Sequence, residues 1–101
     1  MDTKKINWKE LETKIELFVE EQEIYDGWNT FDITDETDLF AKYGEKDDVW
    51  FEGEVKVWYC YYAGNREEPN HADCEIFYKG NLVLYNENGE IAEKMEVNEE
   101  I

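Results

Sequence analysis

The sequence contains no serine, and it has one histidine, His71, and one proline, Pro69. A serine nucleophile is therefore excluded, and the sequence shows no cysteine–histidine–asparagine arrangement. A glycine-rich phosphate loop is also missing. Acidic pairs such as Glu52 and Glu54 carry little weight, because pairs are inevitable among 27 acidic residues. We therefore predict a protein that is not an enzyme and that uses no cofactor.

Long apolar runs are absent as well. No run approaches the roughly 18 residues of a membrane span, and no apolar segment follows the first residues, MDTKK. Cys60 and Cys74 are the only cysteines, too few for a disulfide framework. We predict a cytoplasmic protein, in the host cell if a phage encodes it, with free thiols. One disulfide is the alternative, if the two cysteines lie on adjacent strands.

Positive charge is scarce: 10 lysines and arginines face 27 acidic residues, for a formal net charge of −17. Small soluble domains usually have a net charge of about 2 to 8 in magnitude. So strong a negative field repels nucleic acid and anionic membranes, so we predict direct binding to neither. The excess is concentrated in residues 15–55, which carry a net charge of −12. Basic proteins are the expected partners.

The length of 101 residues and the apolar share of 42% predict one folded domain over residues 1–101. Asn7 is a candidate helix cap with Glu10 three residues later. One face of the following helix, which is expected to reach Glu23, is apolar and should contact the core. That face consists of Trp8, Leu11, Ile15, Phe18 and Val19.

Alternating residues predict strands in the second half of the chain. Residues 48–64 form the strongest candidate, a central strand in which Gly53 indicates a bend or bulge. Residues 74–78 and 82–85 are predicted to form a hairpin through a turn at 79–81, and a second turn at 86–89 precedes a last strand. The predicted fold is α+β: an N-terminal helix packed on a four- to five-stranded antiparallel sheet. A second short helix is expected near 35–43, capped by Thr34.

The sequence offers two candidate metal sites, one for calcium and one for zinc. A calcium loop beginning at Asp32 would place Thr37 where an EF-hand requires glycine and Tyr43 where it requires glutamate, so an EF-hand is excluded. Zinc could use His71, Cys74 and Cys60, but no fourth soft ligand is present. We therefore predict no metal.

The acidic residues of the middle of the chain are candidate partner contacts. On a helix, neighbouring carboxylates lie about 5–6 Å apart, and on one strand face about 6.8 Å apart, while each DNA strand has a charge every ~3.4 Å. Carboxylates on one face could therefore occupy lysines and arginines that normally bind phosphates. The candidate partner-binding residues are Glu12, Glu16, Glu20, Glu23, Asp32, Asp35, Glu36, Asp38, Asp47, Asp48, Glu52 and Glu54.

In size, charge and lack of catalytic parts, the chain resembles the acidic inhibitors that phages and mobile elements use against CRISPR nucleases and restriction enzymes. The resemblance implies a nucleic-acid mimic whose partner is a basic nucleic-acid-binding protein, such as a nuclease effector. The alternatives are an immunity protein or antitoxin with a specific interface, and an acidic protein-interaction domain. Exposed apolar residues would serve as anchors of a specific interface, and the candidates are Leu17, Trp28 and Trp58.

Overall fold

The computed structural model describes all 101 residues except the side chain of Asp35. Within this described part, one α-helix lies on one five-stranded antiparallel sheet, which confirms the predicted α+β class. The elements in chain order are α1 (Trp8–Glu20), β1 (Gly27–Ile33), β2 (Phe40–Tyr43), β3 (Asp47–Tyr62), β4 (His71–Tyr85) and β5 (Ile91–Glu100).

Helix α1 begins where its cap predicts. The Asn7 side-chain oxygen accepts a hydrogen bond from the Glu10 backbone N–H at 3.1 Å. Leu11, Ile15 and Val19 are buried, with the rest of the predicted apolar face packed against the core. The helix ends at Glu20, earlier than expected. Its last turn contains no basic residue, so acidic side chains there oppose the negative end of the helix dipole.

Strand β3 is central, as predicted. One of its edges pairs with β4, and β1 and β2 follow one another along the other edge. Strand β5 pairs with the far edge of β4. Val55 pairs with Tyr78, and both side chains belong to one buried core cluster with Leu11 and Ile15 of α1.

The predicted turn at residues 79–81 does not form. Strand β4 continues through it, and Gly80 pairs directly with Gly53 of β3. The two backbones approach so closely that a Cβ on Gly80 would collide with the Glu52 carbonyl group. The pairing between β3 and β4 shows no shift at Gly53, and a register shift occurs instead in the β4–β5 pairing, between Leu84 and Tyr85. The glycines therefore permit close packing of two strands and do not mark a bulge or a turn.

The predicted second helix is also wrong. Only a three-residue 3₁₀ turn, Asp35–Thr37, follows the Thr34 cap, and strand β2 comes next. Asp38 has a left-handed backbone with φ of 58°, which a continuing helix cannot accommodate. A strand is more stable than a helix for the residues that follow, because Ala41 is buried opposite Val49 and the centroid of the Phe40 ring lies 4.7 Å from that of Trp50.

The ends of β3 and β4 extend beyond their neighbours. Within the sheet, residues 60–62 pair with residues 71–73 of β4 and not with β1, and the loop that contains Pro69 joins β3 to β4. This projecting hairpin, which we call the arm, contributes to an elongated molecule of 59 × 22 × 20 Å. The turn predicted at residues 86–89 is present, with the Asn86 side chain accepting hydrogen bonds from the backbone N–H groups of Asn88 and Glu90.

Candidate protein-interaction surfaces

The sheet has two different faces. Helix α1 covers one face, and no helix of the described chain covers the other, which we call the open face. Strand alternation places every second side chain of β3 on the open face, from Asp48 to Tyr62. The cross-strand partners extend each position into a row across the sheet, so the open face is assembled from β1, β3, β4 and β5.

The candidate partner-binding carboxylates do not share one face. Glu12, Glu16 and Glu20 lie on α1, and we call them the helix ridge. The strand register places four others on the open face, behind the sheet from the ridge: Asp32, Asp48, Glu52 and Glu54. The remainder lie in connections or at the end of a strand. The periodicity of the sequence predicted which side of the helix and of each strand is acidic. It gave no information on which of these sides face the same direction once the helix packs on the sheet.

The helix ridge is anchored to the core at one end. The Tyr78 hydroxyl donates a hydrogen bond to a Glu12 carboxylate oxygen at 3.5 Å. Burial raises the pKa of Tyr78 well above its usual value, and the negative charges of Glu12 and Glu99 raise it further. Glu99 of β5 is therefore part of the same negative field. Glu16 and Glu20 are exposed along the rest of the ridge.

A groove of about 450 Å³ borders the ridge. Glu16 and Glu20 line it from the helix, together with apolar side chains of the chain segments on either side. The apolar lining includes Val19, Ile24, Tyr59, Ile76 and Ile101. Such a groove suits the apolar stem of a lysine or arginine side chain, whose charged head would then meet the glutamates.

The carboxylates of the open face are partly engaged. Asp48 lies 3.2 Å from the Lys42 ammonium group, and Glu52 accepts a hydrogen bond from the Tyr85 hydroxyl at 3.2 Å. Asp32 and Glu54 are direct cross-strand partners and both are exposed, so their charges oppose each other. Lysines are interspersed among these acids, including Lys79 opposite Glu54. The open face is therefore mixed in charge, unlike the ridge.

The remaining candidate carboxylates lie at the ends of elements. Glu23 follows α1 and accepts a hydrogen bond from the Tyr25 hydroxyl at 2.8 Å. Glu36 and Asp38 are exposed in and after the 3₁₀ turn, and Asp47 is exposed at the start of β3. Asp35, the other member of the predicted set, has its side chain outside the described part of the chain.

Few of the acidic charges are neutralised internally. Among the described residues, three ion pairs lie within 4 Å: Lys14 with Glu10, Lys42 with Asp48, and the N-terminal amine with Glu93. The chain has 27 acidic residues, so most of its carboxylates face solvent without a bound cation from the protein. These carboxylates therefore remain available to external cations, and the protein as a whole has a net charge of −17.

Three aromatic rings form a cluster on the open face. Trp28 of β1 pairs with Trp58 of β3, and their ring centroids lie 5.3 Å apart. The Trp28 ring also lies 5.7 Å from that of Phe77 on β4. Trp28 stays 61% exposed and Trp58 37% exposed. We call these three residues the aromatic cluster, and their exposure matches what a protein-binding anchor requires.

Leu17, the third candidate anchor, lies on the helix side of the molecule. It is 53% exposed, beside Phe18 and Leu39 in a shallow depression. The 3₁₀ turn and β2 therefore cover Leu17 only in part. Its solitary position contrasts with the three adjoining rings of the aromatic cluster.

Both cysteines are free thiols. They lie on adjacent strands, but Tyr59 is the partner of Cys74 and Asp73 is the partner of Cys60, so the two side chains are on opposite faces. The hydrogen bond with Cys60 raises the pKa of Tyr62, whose ring stacks on His71 at 4.7 Å.

In the described part of the chain, no three potential metal ligands come together. No described helix has the length and apolar character of a membrane span.

Sequence reasoning missed two contributors to these surfaces. Phe77 joins the aromatic cluster only because β3 and β4 pair in one register, which the mistaken turn at residues 79–81 had concealed. Glu99 adds its charge to that of Glu12 near Tyr78 because β5 extends to Glu100. The alternation of Val97, Glu99 and Ile101 was the available signal.

Comparison with protein-family models, curated proteins and solved structures finds no match to this chain.

Proposed function

We propose that this protein is a non-catalytic inhibitor that occupies the basic nucleic-acid-binding surface of a nuclease or of another nucleic-acid-binding protein. The observation that carries the proposal is the density of unneutralised charge along the molecule. Dividing the 59 Å long axis by 17 net negative charges gives one charge per about 3.5 Å. One strand of duplex DNA has a charge every ~3.4 Å. Summed over the helix ridge, the open face and the connections, the axial charge density of this protein is therefore similar to that of one phosphate strand.

The helix ridge is the contact that we favour. Its glutamates are four residues apart, which puts their Cβ atoms about 5–6 Å apart along a rigid element. Lys9 and Lys14 of the same helix lie toward its N-terminal half, so Glu16 and Glu20 lie beyond both of them. The apolar groove beside these two glutamates offers contact to the stems of lysine and arginine side chains. The helix ridge and the groove beside it therefore offer a basic partner both negative charge and apolar contact.

The proposal is tested by retrieving the partner and challenging it with nucleic acid. The chain is immobilised, exposed to lysate of a bacterial host, and eluted along a salt gradient or with duplex DNA. We expect the retained proteins to be basic nucleic-acid-binding proteins, released by duplex and by salt, because both compete for the same cations. Retention of proteins that resist elution by duplex would contradict the proposal.

Two matched double variants locate the contact. Glu16→Lys with Glu20→Lys reverses the ridge, and Asp32→Lys with Glu54→Lys reverses the same amount of charge on the open face. All four side chains are exposed, so both variants should fold, which circular dichroism checks. We expect the ridge variant to lose at least ten times more affinity for the captured protein than the open-face variant. Equal losses would mean that total charge matters and not the ridge.

The aromatic cluster favours a second candidate function, that of an immunity protein or antitoxin with a specific interface. Exposed tryptophans are frequent hot spots of protein interfaces, and an interface centred on them depends less on salt than a charge-only contact. Salt dependence separates the candidates. A complex that loses less than three-fold in affinity between 50 and 300 mM NaCl, and that tolerates bound duplex, would favour this second function.

A further inference from the structure

The aromatic cluster presents an aromatic platform on the open face. Trp28 contacts Trp58 and Phe77, with planes inclined by 60° and 52°, yet most of its own surface remains accessible. Burial of a tryptophan is among the largest apolar contributions available to a small domain. A sheet that leaves Trp28 accessible forgoes that contribution. An accessible ring of this kind suits a ligand that packs against its face.

The charges around the platform determine which ligand it suits. Glu75 is the cross-strand partner of Trp58, and Glu100 is the partner of Phe77. Both carboxylates are exposed, and within the described chain neither one takes part in an ion pair or a side-chain hydrogen bond. A cation placed on the Trp28 ring would gain from the negative ring face and from these carboxylates together. Among the described residues, the lysines that lie over aromatic rings are Lys5, over Tyr43, and Lys14, over Phe40, so Lys56 does not cover the Trp28 ring.

We propose that the aromatic cluster binds an arginine side chain of a basic partner, with the guanidinium group stacked on Trp28 and directed toward Glu75, the cross-strand partner of Trp58. Arginine fits better than lysine because its planar group stacks on a ring and still donates two parallel hydrogen bonds to a carboxylate. A nucleobase or phosphate is disfavoured by the net charge of −17, and so is a second copy with the same charge. The inference rests on the proposed function only in that the partner is basic.

Short peptides test the site without knowledge of the partner. The probes are tetra-arginine, tetra-lysine and tetra-citrulline, the last being a neutral analogue of nearly the same shape as arginine. The readout is the set of four tryptophan indole N–H signals in a ¹H–¹⁵N spectrum. Trp8 serves as an internal control, since its indole N–H already donates to the Thr3 carbonyl oxygen at 3.0 Å.

We expect tetra-arginine to shift the Trp28 and Trp58 signals in a saturable manner, with weaker binding of tetra-lysine and none of tetra-citrulline. Trp28→Ala should weaken tetra-arginine binding about five-fold, which corresponds to ~1 kcal/mol. The affinity of Trp28→Phe for tetra-arginine should lie between that of the wild type and that of Trp28→Ala. Lys56→Gln should tighten binding by about two-fold, because it removes a like charge from the same face. Leu17→Ala, a loss of exposed apolar surface on the other side of the molecule, should change nothing.

Three results would overturn the inference: equal binding of tetra-citrulline, unchanged binding by Trp28→Ala, or concentration-dependent broadening of the two signals without peptide, which would indicate pairing of two copies. The proposed inhibitor function can fail separately. If the peptides bind as expected but duplex DNA does not displace the captured protein, the arginine site stands and the nucleic-acid mimicry falls. If the reverse occurs, the mimicry stands and the arginine site falls.

Discussion

Replacement of Tyr78 by phenylalanine tests how the helix ridge is joined to the core. The Tyr78 ring is only 1% exposed and packs edge-on against Phe51 at 5.6 Å between centroids. Phenylalanine keeps this packing and removes the hydroxyl group that faces Glu12. At pH 7 the change should cost at most about 1 kcal/mol, because the hydrogen bond of 3.5 Å is long.

The larger effect appears at alkaline pH. In the unfolded chain Tyr78 loses its proton near pH 10, whereas in the folded protein its pKa is raised by burial and by the charges of Glu12 and Glu99. Its contribution to stability is therefore fully present below pH 10 and is lost as pH rises toward the raised pKa. The loss approaches about 1.4 kcal/mol per pH unit, or up to about 2 kcal/mol at pH 11.5. Tyr78→Phe lacks this contribution, so its stability should fall less steeply.

Urea unfolding followed by circular dichroism measures the difference. The free energy of unfolding is determined for wild type and Tyr78→Phe between pH 7 and 11.5 at constant ionic strength, and the remaining six tyrosines are common to both proteins. The two curves should converge above pH 10. Tyr61→Phe, which removes an exposed tyrosine of the arm, serves as the matched control. Parallel curves for Tyr78→Phe would refute the assignment of a buried hydroxyl within the field of Glu12 and Glu99.

Three further predictions follow from the fold. Gly80→Ala should lower the free energy of unfolding by about 1–3 kcal/mol, because the new methyl group would overpack against the Glu52 backbone; an unchanged urea midpoint would contradict the close approach of the two strands. Cys60 and Cys74 should both remain alkylatable after mild oxidation, since their side chains lie on opposite faces, and a mass loss of about 2 Da from an intramolecular disulfide would show otherwise. Raising NaCl from 20 to 500 mM should raise the thermal midpoint, because salt screens the self-repulsion of a chain with few ion pairs; a lower midpoint would mean that attractive pairs dominate.

The elements with strong local signals were predictable from the sequence. The cap at Asn7 fixed the beginning of α1, and the spacing of Leu11, Ile15 and Val19 identified its buried face. The alternation around Val55 and Val57 identified the central strand. In each of these cases the local preference and the tertiary packing agree, so local rules were sufficient.

The errors arose where long-range pairing overrode a local preference. The segment Lys79-Gly80-Asn81 has a composition typical of a turn. Gly80, however, lies opposite Gly53, and because neither residue has a side chain, the two backbones approach closely and β4 continues without a turn. Residues after Thr34 have helix-cap chemistry, but a left-handed Asp38 and the burial of Ala41 convert the continuation into a strand. A single sequence contains no direct record of such partners.

The candidate surfaces were predictable in composition but not in arrangement. Trp28 was identified as an anchor conditional on its exposure, and the exposure is present. A joint acidic surface is conditional on a shared face for carboxylates such as Glu16 and Asp32, and the sheet lies between these two. Which residues share a face depends on strand order and register, and neither follows from the count of charges.

Displacement of DNA from a captured partner tests the central proposal most directly. Fluorescently labelled duplex is bound to the purified partner, and the chain is titrated at several duplex concentrations and at 50 and 200 mM NaCl. We predict full displacement, an inhibitory concentration that rises in proportion to the duplex concentration, and an affinity at least ten-fold weaker at the higher salt. A stable ternary complex in which the duplex stays bound would contradict the proposal that this protein takes the place of nucleic acid.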